Sequence, residues 1–226
     1  MSTTDIVIVS YKDRSMLHRC VMSLHDVDVY EPIVIVDNNM YNLGFTHAVN
    51  KGISRTTRDY IWLLNSDAIV LAGALDALVK RMESDQNIGI VGSMQLDPDN
   101  RDVIKHGGTS QAYPFGVHKG GSVAAGDCRL PEKQTWVNFA SVLIRRKMVD
   151  LIGLLDEDYF LYYSDSDYCY QARSTGWQVW YEPGSKVLHR LNASANPDKK
   201  VLEADKKHFE QKWFTNDNWQ RLDTLP

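Results

Sequence analysis

The chain has 226 residues, 43% of them hydrophobic and 24% charged, a balance that excludes disorder, collagen and coiled coil as its main character. Its 25 Lys and Arg against 29 Asp and Glu give a net charge of -4, which disfavours a protein that binds nucleic acid by neutralising phosphates. Three cysteines, Cys20, Cys128 and Cys169, without a CxxC pair suit a reducing compartment and argue against a disulfide scaffold or a structural zinc site.

The start, Met1 to Asp5, lacks the pattern of a secretory peptide, and no apolar run approaches the roughly 18–20 residues that cross a bilayer. A soluble, cytoplasmic protein with one mixed domain is expected. Asp5–Ser10 is a short β-branched run that reads as a strand covered on both faces. Met16, Leu17, Cys20, Val21 and Leu24 then share one helical face behind Asp13 as N-cap. Pro32–Val36 is a second buried strand, and a helix follows over about Gly44–Ser54. A third strand, Tyr60–Leu64, leads into a helix at about Leu71–Met82, and Ile88–Val91 is a fourth strand.

This alternation predicts an α/β fold with a mostly parallel sheet and helices on both faces. Right-handed crossovers place the loops after Val9, Val36 and Leu64 at one sheet edge, where open α/β sheets bind ligands. From about Gln95 to Glu132 turn formers dominate, with a strand near Val103–His106. Order returns at Gln134–Ile144, followed by helices near Lys147–Ile152 and Asp165–Ser174 and strands at Gln178–Tyr181 and Lys186–His189. A last helix, about Asp198–Phe214, turns Val201, Leu202, Phe209 and Trp213 inward. Its Lys199, Lys200, Lys206, Lys207 and Lys212 face outward, as a solvated surface or toward phosphate or an anionic membrane. One domain in two functional halves is expected, about 1–97 and 98–192, with a helix and tail over 193–226.

Several polar residues stand where chemistry could occur. Ser10 and Tyr11 leave the first strand, where a hydroxyl can bond a ribose and a ring can stack, although Tyr also suits a sheet edge. Asp37 ends the second strand and can accept from a base or ribose, or can cap a turn. Asp67, in Asn65-Ser66-Asp67, is either a hard oxygen ligand for Mg2+ or Mn2+ or the cap of the next helix. His189 could supply a nitrogen ligand to the same ion or be a structural histidine. His106 and His118 border the irregular stretch and could touch a second substrate, whereas His18, His25, His47 and His208 read as surface or packing residues. In Ser164-Asp165-Ser166-Asp167 two carboxylates begin a helix, where the dipole favours their ionised form; one is expected to be only a cap.

The order of these pieces is distinctive: Val7–Tyr11, Ile35–Asn39, Asn42–Phe45 with Ala48, Asn50 and Gly52, Leu63–Asp67, then Tyr159–Asp167 and Gly176-Trp177. Together they resemble glycosyltransferase family 2, inverting enzymes with the GT-A fold, and in particular its rhamnosyltransferase-like branch. The resemblance spans roughly residues 4–192. It implies that Ser10, Tyr11, Asp37, Asn42, Gly44 and Ser66 hold a nucleotide-sugar, with UDP or dTDP as the nucleotide. It also implies Mn2+ or Mg2+ on Asp67 and His189, with Asp165 as general base. The acceptor side is expected at Asp167, Trp136 and Tyr163 and along Gly107–Glu132. The acceptor would be a glycan, a lipid-linked saccharide or another hydroxyl compound, with peripheral contact at the inner face of a membrane left open.

Ser164 departs from the family, which usually carries Glu there, so a contact or tuning effect of that Glu is missing. A non-catalytic nucleotide-sugar-binding protein of the same fold is therefore the alternative reading. A nucleotidyltransferase would carry a Gly-rich basic loop where Ser10-Tyr11-Lys12-Asp13 stands, and a Rossmann dehydrogenase would carry GxGxxG.

Overall fold

In the computed structural model, which describes residues 3–110, 117–118, 128–190 and 198–215, the strand and helix signals of the first third become a parallel ladder. Strand β1 (Thr4–Ser10) lies between β2 (Ile33–Asp37) and β3 (Tyr60–Asn65), parallel to both. Helix α1 (Arg14–Asp26) connects β1 to β2, and its Asp13 cap accepts from the amides of Ser15 and Met16. Helix α2 (Phe45–Ile53) connects β2 to β3. The chain continues through β4 (Ile69–Val70), α3 (Ala74–Glu83), β5 (Ile88–Leu96) and β6 (Ile104–His106). A small hairpin, β7 (Thr109–Ser110) with β8 (Val117–His118), precedes β9 (Glu132–Lys133) and β10 (Ser141–Arg145). Helices α4 (Arg146–Ile152) and α5 (Ser164–Ser174), strand β11 (Gln178–Leu188) and helix α6 (Lys199–Trp213) complete the order.

The main sheet runs β2-β1-β3-β10-β5-β11-β4, with β6 on β5 and β9 on β11. β1, β2, β3, β5 and β11 point one way, and β10 runs against both its neighbours, β3 and β5. The expected mostly parallel α/β sheet is present, with one reversed strand at its centre.

Side-chain alternation along the strands builds a core on each face. Ile6, Ile8, Trp62 and Leu64 join Cys20 and Leu24 of α1 and Leu75, Leu78 and Met82 of α3. Val7, Ile61 and Leu63 point the other way, toward Val49 and Ile53 of α2, Met148 of α4, Cys169 of α5 and Phe209 and Trp213 of α6. Helices therefore cover both faces.

Four details differ from the sequence expectation. Helix α3 starts at Ala74, with Gly73 as its N-cap, so Asp67 is not the cap of that helix. The two late strands are one, β11, because a register irregularity between Glu182 and Lys186 absorbs Pro183 and Gly184 without ending the ladder to β5. Strand β5 extends to Leu96, carrying buried polar residues that interrupt its apolar signal. Lys212 does not face outward; it reaches inward to Asp156 and Asp167, at 2.7 and 3.0 Å. Residues 193–197 and 216–226 of the expected tail lie outside the described residues.

Helix α2 sits close on β1 because residue 52 has no side chain. A Cβ at Gly52 would meet Val7 Cγ1 at 2.3 Å and Val36 Cγ2 at 3.2 Å. Val7 is buried and β-branched, so it has little room to rotate away. Gly52→Ala is expected to cost about 1–3 kcal/mol of stability, read as a lower denaturant midpoint with unchanged slope.

Candidate active site

Parallel pairing aligns the strand ends from which the site is built. Ser10 lies opposite Asp37, and Val9 lies opposite Asn65, so three polar loops leave one sheet edge together. Ser10 is buried and Tyr11 is 40% exposed, with the Lys12 ammonium over its ring. Asp37 Oδ1 accepts from the backbone and side chain of Asn39, and these bonds hold its carboxyl below the ordinary range. The turn is closed at Asp37 as an Asx motif while the residue stays exposed.

Asn38, which the sequence reading did not single out, organises the next loop. It is buried; its amide donates to Gly44 O and Asn42 Oδ1, and its Oδ1 accepts from Leu43 N. Asn42 Oδ1 in turn accepts from Gly44 N. Gly44 has φ +88°, and a Cβ there would lie 2.6 Å from Phe160 O, the same oxygen that accepts from Phe45 N. Glycine is required by conformation and by space, and the contact joins the loop before α2 to the segment leading into α5.

Asp67 and His189 leave β3 and β11 at the same end of the sheet and meet there, Oδ1 to Nε2, at 3.3 Å. His189 is 6% exposed, and its Nδ1 lies 3.0 Å from Oε1 of the fully buried Gln95. Ser66 is half-buried beside them. The charge of Asp67 adds to burial in pushing the Cys20 thiol up to about 12, so that cysteine is inert.

Asp165 lies in the first turn of α5, after Tyr163 in the left-handed region at φ 62°. Such backbone costs energy for a non-glycine residue and is frequent near reactive groups. Burial raises the Asp165 carboxyl to about 6, against the opposing pull of the Ser166 and Phe139 amides. A carboxylate with this value can accept a proton near neutral pH. Phe139 links the Asp165 end to the Asp67 end: its neighbour Ala140 accepts at O from Asn65 N, two residues before Asp67.

The residues expected on the acceptor side are placed differently from one another. Asp167 is 1% exposed and accepts from Tyr159, Trp213 and Lys212, so it ties α6 to α5 rather than facing a substrate. Trp136 is buried with its ring 6.0 Å from His106, which is itself fully buried. Tyr163 is half-buried and stacks on Phe209. Ser164 is buried. Residues 111–116 and 119–127, and the His118 side chain, are outside the described residues.

A second group, Asp156, Asp158 and His208, brings three possible metal-ligand atoms within 4.8 Å of one another. Burial raises Asp156, but bonds from Lys212 and His208 outweigh it and hold the carboxyl at about 2. A lysine ammonium already occupies the place of a cation there.

The family profile described as "Glycosyltransferase like family 2" matches residues 33–209. The chain belongs to this family. As a family 2 protein it is 26% identical over 180 residues to "N-acetylglucosaminyl-diphospho-decaprenol L-rhamnosyltransferase" of Mycobacterium tuberculosis, covering 70% of this chain and 59% of the relative. It thus spans about three-fifths of the curated relatives it matches. Similar solved structures include GalNAc-T7 with UDP, GalNAc and Mn2+, at TM-score 0.66 and 16% identity over 86% of this chain and 45% of that one. Another is the mannosyltransferase PcManGT of Pyrobaculum calidifontis with GDP-Man and Mn2+, at TM-score 0.60 and 12% identity over 84% of this chain and 57% of that one. The fold is GT-A.

In this family 2 protein the raised Asp165 has a consequence for stability. Between the ordinary carboxyl value of 3.8 and about 6, the folded state keeps a proton that the unfolded state releases. Stability therefore falls as pH rises through this window, by roughly 2–3 kcal/mol from this group. Denaturant unfolding at pH 4, 5 and 7 is expected to show that loss, and Asp165→Asn is expected to flatten it.

Proposed function

We propose that this family 2 protein is an inverting glycosyltransferase that moves a sugar from a UDP- or dTDP-sugar to an acceptor hydroxyl. The observation that carries this reading is the meeting of Asp67 with His189 at 3.3 Å, at the sheet edge where Ser10 and Asp37 also end. One carboxylate and one imidazole suit Mn2+ or Mg2+, which complete their shells with water and substrate phosphate. Once bound, such an ion supplies charge stabilisation to the departing diphosphate.

The remaining work belongs to the chain. Ser10, Tyr11, Asp37, Asn42, Gly44 and Ser66 would hold and orient the nucleotide-sugar. Asp165 would take the proton of the acceptor hydroxyl as that oxygen attacks the anomeric carbon opposite the leaving group, and a single displacement inverts the centre. A carboxyl near 6 is ionised at neutral pH yet basic enough to assist. That value favours an enzyme over a non-catalytic binder despite Ser164.

The acceptor class we favour is a lipid-linked saccharide, as the name of the mycobacterial relative suggests. Exposed Met40, Tyr41, Leu43, Phe160 and Leu161 support it, since they lie on the two loops that touch at Gly44 and Phe160. No helix among the described residues is long and apolar enough to cross a membrane.

Calorimetric titration with UDP, dTDP, GDP and CDP, each with Mn2+ and with EDTA, tests the donor site. Metal-dependent binding of UDP or dTDP that is lost in Asp67→Ala is expected; no nucleotide binding in any arm would remove the assignment. Asp165→Asn is expected to lower transfer on the order of 10²–10⁴-fold with donor affinity retained. The rate of the unsubstituted protein should rise with pH through about 6 and then level, as Asp165 loses its proton.

A further inference from the structure

Behind the Asp67–His189 pair lies a chain of part-buried and buried hydrogen bonds whose polarity is fixed from one end. The backbone amide of Ala140 can only donate, and it donates to Asn138 Oδ1 at 2.8 Å. That oxygen also lies 2.9 Å from the Gln95 amide, which must therefore present its nitrogen there as a second donor. The remaining atom of the Gln95 amide, Oε1, then faces His189 Nδ1 at 3.0 Å and can only accept.

The surroundings leave little freedom to reverse this order. Gln95 is fully buried, and its backbone is held by the ladder between β5 and β11, with His189 N bonded to Leu96 O. Asn138 N donates to His106 Nε2 at 3.4 Å, which fixes the backbone behind the amide. Turning the Gln95 amide would set its oxygen against Asn138 Oδ1. Turning both amides would leave the Ala140 N–H facing a donor. On the opposite side of the imidazole, Asp67 Oδ1 competes for the same ring proton.

We infer that Gln95, oriented by Asn138, is a positioning residue that keeps the ring proton of His189 on Nδ1 and so presents the Nε2 lone pair, beside Asp67, as a ligand atom for a divalent cation. The ligand half of this inference rests on the metal reading given above; the proton placement does not. Without Gln95 Oε1 the neutral ring would instead donate Nε2–H to Asp67, and a cation would have to displace that proton.

The test records ring-nitrogen NMR of histidine-labelled, metal-free protein at about pH 9.5, some three units above the reference value of imidazole. The His189 signal is identified by its loss in His189→Gln. Titration with Mn2+ alone, followed by electron paramagnetic resonance, gives the affinity. The unsubstituted protein is expected to carry the proton on Nδ1. Gln95→Met is expected to move it to Nε2 and weaken Mn2+ on the order of 10–100-fold. Should Gln95→Met fail to fold, Asn138→Ala on the half-buried loop carries the test, with a mixture of the two tautomers and weaker Mn2+ expected. A proton on Nε2 in the unsubstituted protein overturns the inference. So do an unchanged tautomer and unchanged Mn2+ affinity in the variant that folds. A proton on Nδ1 with no Mn2+ binding overturns the metal reading and the ligand half with it, and supports the proton placement.

Discussion

Strand β10 runs against both its neighbours, and the site depends on that reversal. Its five residues pair with β3 on one side and three of them with β5 on the other, inside a sheet whose other long strands run the opposite way. A parallel strand in that place would begin at the far edge. The reversed strand begins toward the carboxyl ends of β3 and β5, and the Asn138–Ala140 segment that enters it arrives among the polar loops of that edge. From there it touches both ends of the site: Ala140 O accepts from Asn65 N near Asp67, Asn138 accepts from the Gln95 amide that faces His189, and Phe139 bonds Asp165.

The two ends are tuned by opposite means. Asp165 is desolvated, which raises its carboxyl to about 6 at a cost in stability near neutral pH. His189 is held by oriented dipoles, a buried glutamine on one nitrogen and a carboxylate opposite the other. Helix α6 steadies the loop between them, since the buried Asp205 accepts from the amides of Phe160, Leu161 and Tyr162. The same loop touches Gly44, so the loop before α2 and the segment before α5 are joined at the Phe160 carbonyl.

Polar clusters of similar composition have different roles here. Asp156, Asp158 and His208 resemble a metal site in residue type, yet Lys212 already supplies the positive charge. Asp167 resembles Asp165 in position, yet Tyr159, Trp213 and Lys212 occupy its oxygens and turn it into a tie between α5 and α6. What separates Asp165 from Asp167 is the partners that each meets, which residue type does not reveal.

The parallel first third was legible because β-branched runs and helical spacing are local signals: Ile6, Ile8, Cys20 and Leu24 pack as their periods predict. The ends of β1, β2 and β3 were legible too, since alternating strand and helix place them at one edge whatever the details. Local order could not reveal which distant residues those ends would meet. Gln95, Asn138 and Asp205 lie in different elements, and their chemistry arises from pairings across the sheet and from α6. Lys212 looked like one more exposed lysine until packing brought two buried carboxylates to it. By itself, the sequence determined the α/β layering and the sheet edge at which polar loops collect, because those follow from hydrophobic period and chain direction. Only the tertiary structure decided which buried carboxylate is tied down by neighbours and which carboxylate faces His189, because burial and hydrogen-bond partners are properties of the packed chain.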